Sequence, residues 1–235
     1  MGDPGRLIAF EGVEGAGKST QLELLRRQLE GRGREVVVTR EPGGTRLAER
    51  IRSILLDTSG NRDGEPVAPL CEAYLILAAR SQHVAQLILP ALGEGAIVLC
   101  DRFSDSTLAY QGYARGLDRR LLQRLSLVAS QGIAPDLTLL FDLPVEHGLS
   151  RRRSEELQGT QQNRIDRESQ TFHNRVRRGF LDLALALSLA VVAAALALGV
   201  FAIVISLPTL AYGLWQAVSG PAGLYGVSPL GHETS

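Results

Sequence analysis

Short apolar runs alternate with longer amphipathic segments over most of the chain. Four or five consecutive apolar residues bounded by turn residues are typical of a strand that is buried on both faces, and the amphipathic segments between them are typical of covering helices. The predicted strands cover residues 7–10, 35–39, 96–100 and 137–141. This alternation predicts an α/β fold, in which helices lie on both faces of a parallel sheet.

The amphipathic segments predict the helices between these strands. Pro90 is expected to end the longest of them, because proline has no backbone N–H to donate. The predicted helices cover residues 20–29, 68–89, 104–114 and 118–130, and a further helical pattern places Leu47, Ile51, Ile54 and Leu55 on one face.

Polar residues follow each predicted strand. In parallel sheets of this kind the ligand lies at the carboxyl ends of the strands. The polar segments at these ends are 11–19, 40–45, 101–102 and Asp142. We therefore expect the functional site along this single edge of the sheet.

The junction between the first strand and the first helix has the spacing G-x-x-x-x-G-K-S. Such a turn directs backbone N–H groups at phosphates, with Lys18 in reach of the outer phosphates and the Ser19 hydroxyl available to Mg²⁺. Lys18 is the only lysine among the 25 basic residues, which favours a role that a guanidinium cannot fill. The residues predicted to bind ATP are Gly12, Val13, Glu14, Gly15, Ala16, Gly17, Lys18, Ser19 and Thr20.

Composition adds little support for other kinds of partner. The formal net charge is zero, so overall charge does not favour binding to nucleic acid. Cys71 and Cys100 lack metal-ligand spacing and are interpreted as small buried hydrophobes in a reducing compartment. The first residues lead directly into a predicted strand, so no secretory signal is expected.

Arginines cluster between residues 151 and 178. The segment that begins with Arg151, Arg152 and Arg153 is interpreted as a mobile flap between two helices. A solvated helix face is the alternative. The flap is favoured because phosphoryl transfer needs cations that neutralise developing charge and exclude water.

Several linked motifs resemble those of thymidylate kinases. They are FEGVEGAGKST at residues 10–20, TREPGGT at 39–45, DRF at 101–103, STLAYQG at 106–112, PDLT at 135–138 and RIDRE at 164–168. The resemblance covers roughly residues 5–182. It implies a P-loop nucleoside-monophosphate-kinase fold, Mg²⁺-dependent transfer of the ATP γ-phosphoryl group to dTMP to give dTDP, a cytoplasmic location and a homodimer.

The resemblance also assigns roles to residues. Arg102 is expected to bridge the two phosphates, Glu14 to face the sugar 3′-hydroxyl or a metal-bound water, and Ser19 and Asp101 to bind the metal. Tyr110 is expected to select deoxyribose. The other predicted contacts to dTMP are Arg40 and Arg52 at the monophosphate, and Ile76, Arg80, Ser106, Thr107 and Gln111 around the base.

The family has one variant with an arginine inside the P-loop and another with catalytic arginines in the flap. The P-loop interior, residues 13–16, contains no arginine, so this chain resembles the second, bacterial-type arrangement. The predicted catalytic cations are therefore Lys18, Arg102, Arg151 and Arg153. Spacing alone does not decide between the two flap arginines.

The chain departs from the family pattern at two places. Ile76 occupies the position where the family usually has an aromatic residue that stacks on thymine, which leaves open a kinase of another nucleoside monophosphate. The second departure follows residue 182, where the family continues with a final strand, an adenine-side loop and a last helix. Residues 183–207 are instead apolar, long enough to span a bilayer, and preceded by arginines that favour a cytoplasmic start.

Three interpretations of residues 183–207 remain open: a C-terminal transmembrane helix, a shifted-frame or fused end, and an apolar helix packed in a core. The first divides the chain into a kinase domain at 1–182, a transmembrane helix at 183–207 and a tail at 208–235. It would tether the enzyme to the inner face of the membrane. The alternative function is a membrane-attached nucleotide-binding module that lost catalysis with the family's final strand.

Overall fold

A parallel four-stranded sheet forms the centre of the protein in a computed structural model, which describes residues 4–57, 66–157 and 163–197. The strand order is β2-β3-β1-β4, and all three pairings are parallel. The strands are β1 (Arg6–Gly12), β2 (Val36–Arg40), β3 (Ile97–Asp101) and β4 (Leu137–Phe141). The predicted α/β fold is confirmed, and each predicted strand lies within two residues of its observed bounds.

Helices connect the strands, and two π-helical turns interrupt them, at Val84–Ile88 and Leu108–Ala114. Pro90 does not end the long third helix as predicted. It lies at the start of the next helical segment, directly after a π-helical turn in which the Leu89 N–H donates to the Val84 carbonyl, so the helical hydrogen-bond register is already interrupted where proline removes a donor. The helices are α1 (Lys18–Glu30), α2 (Arg46–Leu56), α3 (Pro69–His83), α4 (Leu89–Gly93), α5 (Ser104–Thr107), α6 (Arg119–Ala129), α7 (Val145–Leu157) and α8 (Gln170–Ala197).

The core lies on both faces of the sheet. Alternate residues of β1 face opposite sides, so Leu7 packs in a cluster with Ile88, whereas Phe10 packs in another with Leu22 of α1. Phe10 also stacks on Phe141, with ring centroids 5.7 Å apart. Helices cover both faces, and the carboxyl ends of the strands are left as the open edge.

The pairing register brings the polar strand ends together. Asp101 pairs with Phe10 on one side and with Arg40 on the other, and Gly12 pairs with Phe141. In the described part of the chain β4 is paired only with β1. The edge predicted to hold the site is therefore formed by β1, β2 and β3, with β4 beside the P-loop.

The chain divides into two units, residues 1–183 and residues 184–235. Of the second unit the structure describes the helical backbone through Ala197. Residues 198–207 of the predicted transmembrane helix and the whole tail at 208–235 therefore lie outside the described residues. Within the described residues, the stretch Pro69–Gly93 is long and apolar enough to cross a membrane, but it packs in the core of the first unit and buries Arg80 and His83.

Candidate active site

A cavity of about 490 Å³ opens at the carboxyl ends of the strands. Its walls come from the P-loop, the β2–α2 loop, α2, α3, the segment after β3, α7 and the segment 163–165. It contains nearly every residue predicted to bind nucleotides. The lining residues are Glu14, Gly15, Ala16, Gly17, Lys18, Ser19, Thr20, Arg40, Glu41, Pro42, Arg52, Leu55, Leu56, Glu72, Ile76, Arg80, Asp101, Arg102, Phe103, Ser106, Thr107, Tyr110, Gln111, Arg151, Arg152, Asn163, Arg164 and Ile165.

The P-loop is shaped by backbone conformations that favour glycine, with φ of 69° at Gly15 and 89° at Gly17. Lys18 donates from Nζ to the carbonyl oxygens of Gly12 and Val13, at 3.1 and 2.9 Å. Gly12 and Val13 do not line the cavity, and their carbonyl groups hold the Lys18 ammonium. Of the predicted ATP residues, those from Glu14 to Thr20 face the cavity.

The Lys18 ammonium is buried in a partly cationic environment. Burial and the nearby Arg102 charge lower the pKa of Lys18 to about 8, although the Glu14 and Asp101 carboxylates oppose the shift. Incoming phosphate groups would reverse this balance by adding negative charge. The amine is therefore placed where its protonation responds to the occupancy of the loop.

α7 approaches the P-loop through two glycines. A Cβ built on Gly148 of α7 would lie 2.3 Å from the Glu14 carbonyl oxygen, and a Cβ on Gly15 would lie 2.4 Å from the Gly148 carbonyl oxygen. The helix that carries the flap arginines therefore touches the phosphate loop directly, backbone against backbone.

Replacing Gly148 with alanine should separate this contact. Because the obstructing atom is backbone, we expect the free energy of unfolding to fall by about 1–3 kcal/mol and the KM for ATP to rise. Gly93 is also helical, and a Cβ added there would meet nothing within 4 Å. Gly93→Ala is the matched control and should raise stability by about 0.5–1 kcal/mol. Equal urea midpoints and equal KM values for the two variants would contradict this packing.

Arg102 is held at the centre of the site by three hydrogen bonds. Nη2 donates to Glu14 Oε1 at 2.7 Å, and Nη1 donates to the Gly12 carbonyl at 2.9 Å and to Ser106 Oγ at 3.2 Å. The guanidinium lies over the Tyr110 ring, 5.1 Å from its centroid. The residue has φ of 73°, unusual for a side-chain-bearing residue, and its backbone N–H is bonded to the Phe10 carbonyl.

Glu14 is the partner of this arginine. Burial alone would raise the pKa of Glu14, but the Arg102 charge, with Lys18 and Arg152, outweighs burial and lowers it to about 2. The Tyr110 hydroxyl donates to the same carboxylate oxygen at 3.2 Å. Glu14 is thus an ionised carboxylate inside the phosphate loop, and it accepts hydrogen bonds from Arg102 and Tyr110.

Glu11 is a functional candidate that the motif analysis missed. It is 1% exposed and accepts hydrogen bonds from the backbone N–H groups of Phe103 and Ser106 and, at 2.6 Å, from the Ser106 hydroxyl. Burial, reinforced by Asp105, raises the pKa of Glu11 to about 7. Its position directly after an apolar strand was the only signal in the sequence. The carboxyl group anchors the loop that carries Arg102.

Ser19 and Asp101 fit the expected metal site in their chemistry. Ser19 Oγ donates to Asp101 Oδ2 at 3.4 Å, which places a hydroxyl beside a carboxylate at the mouth of the P-loop. Among the residues that the structure describes, Asp101 Oδ1 is buried without a hydrogen-bond partner. Oxygen donors of this kind suit Mg²⁺, which takes few protein ligands and the phosphates of its substrate.

The arginines predicted to contact dTMP all reach the cavity, but they differ in surroundings. Arg52 donates to the Pro42 carbonyl at 2.9 Å, and burial, together with Arg40, lowers its pKa. Arg40 is more exposed and pairs with Glu49 at 3.0 Å. These two cations line the cavity together, where a second phosphate group could be bound.

Arg80 is more constrained than expected. It is 1% exposed and donates to Glu41 at 2.7 Å, to Ser126 Oγ, to the Phe103 carbonyl and to Thr107 Oγ1. These four bonds fix the plane of a guanidinium that has five N–H donors. Glu41, which the sequence analysis did not single out, also contacts His83 at 3.2 Å and so holds the β2–α2 loop against α3.

The remaining predicted base and sugar contacts are brought together. Ile76, Thr107, Tyr110 and Gln111 all line the cavity. Ser106 also lines it, although its hydroxyl donates to Glu11. Ile76 lies with Leu55, Leu56 and Ile165 in the lining, so the base side of the cavity is aliphatic where the family usually has an aromatic ring.

The sequence analysis expected the three arginines at 151–153 in a mobile flap between two helices. In the structure they lie on helix α7. Arg151 and Arg152 line the cavity, whereas Arg153 does not and donates to the Leu149 carbonyl of its own helix. Arg151 Nη1 lies 3.2 Å from the Gly15 carbonyl, and Arg152 Nη2 lies 2.8 Å from Asp166 Oδ2. Of the two arginines predicted as catalytic, the structure brings Arg151 to the site and not Arg153; Arg152 was not predicted. Residues 158–162 of the segment lie outside the described residues.

The sequence relationships agree with this arrangement. A family model for thymidylate kinase matches residues 10–200. The thymidylate kinase of Geobacter sulfurreducens is 53% identical over 182 residues, which cover 77% of this chain and 84% of that protein. The thymidylate kinase of Pelotomaculum thermopropionicum is 54% identical over 180 residues, with 77% and 80% covered.

A solved structure extends the similarity to the fold. The crystal structure of thymidylate kinase from Ehrlichia chaffeensis superposes with a TM-score of 0.61 at 34% sequence identity, and covers 78% of this chain and 88% of that one. The predicted P-loop kinase fold is confirmed for the described sheet and helices. The chain therefore belongs to the thymidylate kinase family and is a nucleoside monophosphate kinase.

Proposed function

We propose that this chain transfers the γ-phosphoryl group of ATP to dTMP and releases dTDP and ADP. The observation that carries the proposal is a single cavity in which a P-loop, a set of buried cations and an aliphatic base pocket meet. The acceptor is an ionised phosphate, so the reaction needs no strong general base. Catalysis then consists of positioning and charge neutralisation.

The donor phosphates are assigned to the P-loop. Residues Glu14 to Thr20 line its cavity side, and the loop leads into the N-terminus of α1, whose backbone N–H groups favour an anion. Lys18 is released from the Gly12 and Val13 carbonyls when a phosphate oxygen offers a stronger partner. Its role is to neutralise the group in transfer.

Arg102 is proposed to bridge the donor and acceptor phosphates. It lies between the P-loop and the base pocket, and its Nη atoms already bind the anion Glu14 and the Gly12 carbonyl. Arg151 and Arg152 reach the cavity from α7, beside the P-loop. We assign these three guanidinium groups to the charge that spreads over the transferring oxygens.

Mg²⁺ is the proposed cofactor, with Ser19 and Asp101 as the residues that would hold it. When bound with ATP, the ion would neutralise phosphate charge. On the acceptor side, Arg40 and Arg52 are proposed to bind the dTMP phosphate, and Ile76 to pack against the base. Tyr110, fixed by Glu14, is proposed to crowd the sugar 2′ position.

The kinase domain is proposed to be cytoplasmic, and a homodimer is supported by exposed apolar residues on two helices. Leu47 and Ile54 of α2 are 50% and 60% exposed, and Leu70 and Tyr74 of α3 are 41% and 54% exposed. A membrane tether through residues 183–207 stays a prediction from the sequence.

A coupled assay of ADP release tests the proposed activity. With Mg²⁺ and ATP, we expect ADP to appear only when dTMP is present, and dCMP to be a poor substitute. Equal ADP release with and without dTMP, or equal use of dCMP, would contradict the proposal. A folded sample that binds ATP without dTMP-dependent turnover would support the alternative, a nucleotide-binding module. Assaying soluble and membrane fractions separately tests the predicted tether in the same experiment.

A further inference from the structure

Glu72 of α3 is a buried acid at the base side of the cavity that the proposed mechanism does not use. It is 1% exposed and accepts hydrogen bonds from three side chains. Arg164 Nη2 lies 2.6 Å from Oε2, Arg115 Nε and Nη2 lie 3.2 Å from Oε1 and Oε2, and Gln111 Nε2 lies 2.8 Å from Oε1. A charged residue in the apolar stretch of α3 therefore organises the wall of the pocket.

The charge state of Glu72 follows from these contacts. Burial favours the neutral acid, but the bonds from Arg164, Gln111 and Arg115 outweigh it and lower the pKa of Glu72. The ionised carboxylate can only accept hydrogen bonds. The Gln111 side chain must therefore turn its NH₂ group toward Glu72, and a flipped amide would place its oxygen against a carboxylate.

The orientation of the amide leaves its oxygen pointing elsewhere. Gln111 is 2% exposed and lines the cavity. Among the described residues, its Oε1 is buried and has no hydrogen-bond partner. Burying a carbonyl oxygen without a donor costs free energy. A ligand N–H group that donates to this atom would remove that cost.

We propose that Glu72 is a positioning residue for base selection, which holds the Gln111 amide so that Oε1 accepts a hydrogen bond from a pyrimidine N3–H. Thymine and uracil carry this donor, whereas N3 of cytosine is an acceptor and would face Oε1 with repulsion. Arg80, whose plane is fixed by four hydrogen bonds, lines the same pocket and has one N–H left, on Nη1, to donate to the 4-oxo group. Together they present one acceptor and one donor to the base edge.

This inference rests on the proposed dTMP kinase activity and deepens it. A purely structural role for Glu72, as the anchor of Arg115 and Arg164, would support the fold but would not distinguish one base from another. The two roles therefore differ in a measurable ratio, kcat/KM for dTMP divided by kcat/KM for dCMP.

The test compares this ratio in the full chain and in three variants. Gln111→Met removes the acceptor at similar volume, and Glu72→Gln permits either orientation of the Gln111 amide. Both should lower the dTMP to dCMP ratio by about tenfold or more. The dTMP to dUMP ratio should stay constant, because the two bases share the N3–H donor. Glu168→Gln is the matched control, since Glu168 binds Arg115 at 2.6 Å in the same cluster without contacting Gln111.

The outcomes separate the inference from the proposed function. Wild-type protein without dTMP-dependent ADP release would overturn the proposed function itself. A wild-type preference for dTMP that persists in Gln111→Met or in Glu72→Gln, or that falls equally in Glu168→Gln, would overturn the inference. If Glu72→Gln does not fold, the side-chain amide NMR resonances of Gln111 in the wild-type protein test the inference. They are assigned by their absence from the spectrum of Gln111→Met. Slow exchange of the two amide protons with solvent supports an amide that is held by Glu72, and rapid exchange contradicts it.

Discussion

Replacing Arg102 with methionine is expected to lower kcat for dTDP formation by about 10³-fold or more, the scale on which a cation at a transferring phosphoryl group acts. The reason is its position. The guanidinium lies between the P-loop and the acceptor side of the cavity, where it is bonded to Glu14 and to the Gly12 carbonyl. Arg102→Lys keeps the charge but not the fork of donors, so it should recover only part of the rate.

The loss of activity can be separated from a loss of stability. Arg102→Met leaves the Glu14 carboxylate without its main partner, so the single variant should also unfold at lower urea concentration. Adding Glu14→Gln should restore the urea midpoint and leave kcat low. Arg124→Met, which removes an exposed arginine of α6, controls for the change in net charge. A kcat for Arg102→Met within tenfold of wild type would contradict the bridging role.

The free energy of unfolding of the wild type is expected to fall by about 3 kcal/mol as pH rises, because of Glu11. Replacing Glu11 with glutamine should abolish this pH dependence. The pKa of this buried carboxyl is about 7, against 4.5 ordinarily. Between these values the folded state binds more protons than the unfolded chain, so stability falls as pH rises from about 4.5 to about 7. Glutamine keeps an acceptor for the Phe103 and Ser106 N–H groups and carries no charge.

Urea unfolding at pH 5 and pH 8 measures this difference. The gap in unfolding free energy between Glu11→Gln and wild type should grow in favour of the variant from the lower pH to the higher. Glu94→Gln, at an exposed glutamate, corrects for the change in net charge. If the gap stays constant with pH, Glu11 does not titrate in the folded state as its burial requires.

Much of the site could be predicted because its chemistry is local in sequence. The phosphate loop occupies one continuous strand–turn–helix segment, and its residues face the cavity from Glu14 to Thr20. The strand-end rule placed Arg40 and Asp101 at the same edge, and the pairing register confirms that they are neighbours.

The residues that escaped prediction depend on contacts between distant segments. Glu11 acts on Ser106 and Glu72 acts on Gln111 and Arg164, and no local pattern encodes such pairs. A lone glutamate in the apolar third helix was a usable signal, since a buried charge needs partners. The sequence left the choice between Arg151 and Arg153 open and did not indicate Arg152, for a simpler reason. The segment continues as helix α7, and helical rotation turns Arg153 away while Arg151 and Arg152 face the cavity.

The solitary lysine has a practical consequence. Lys18 is the only lysine of the chain, so an acylating reagent has two amines to attack: the N-terminus and the ammonium of the phosphate cradle. Because the pKa of Lys18 is about 8, a large share of this amine is neutral and nucleophilic at mildly alkaline pH. Acylation of Lys18, measured as the mass of the one peptide that contains it, therefore reports whether the donor site is occupied.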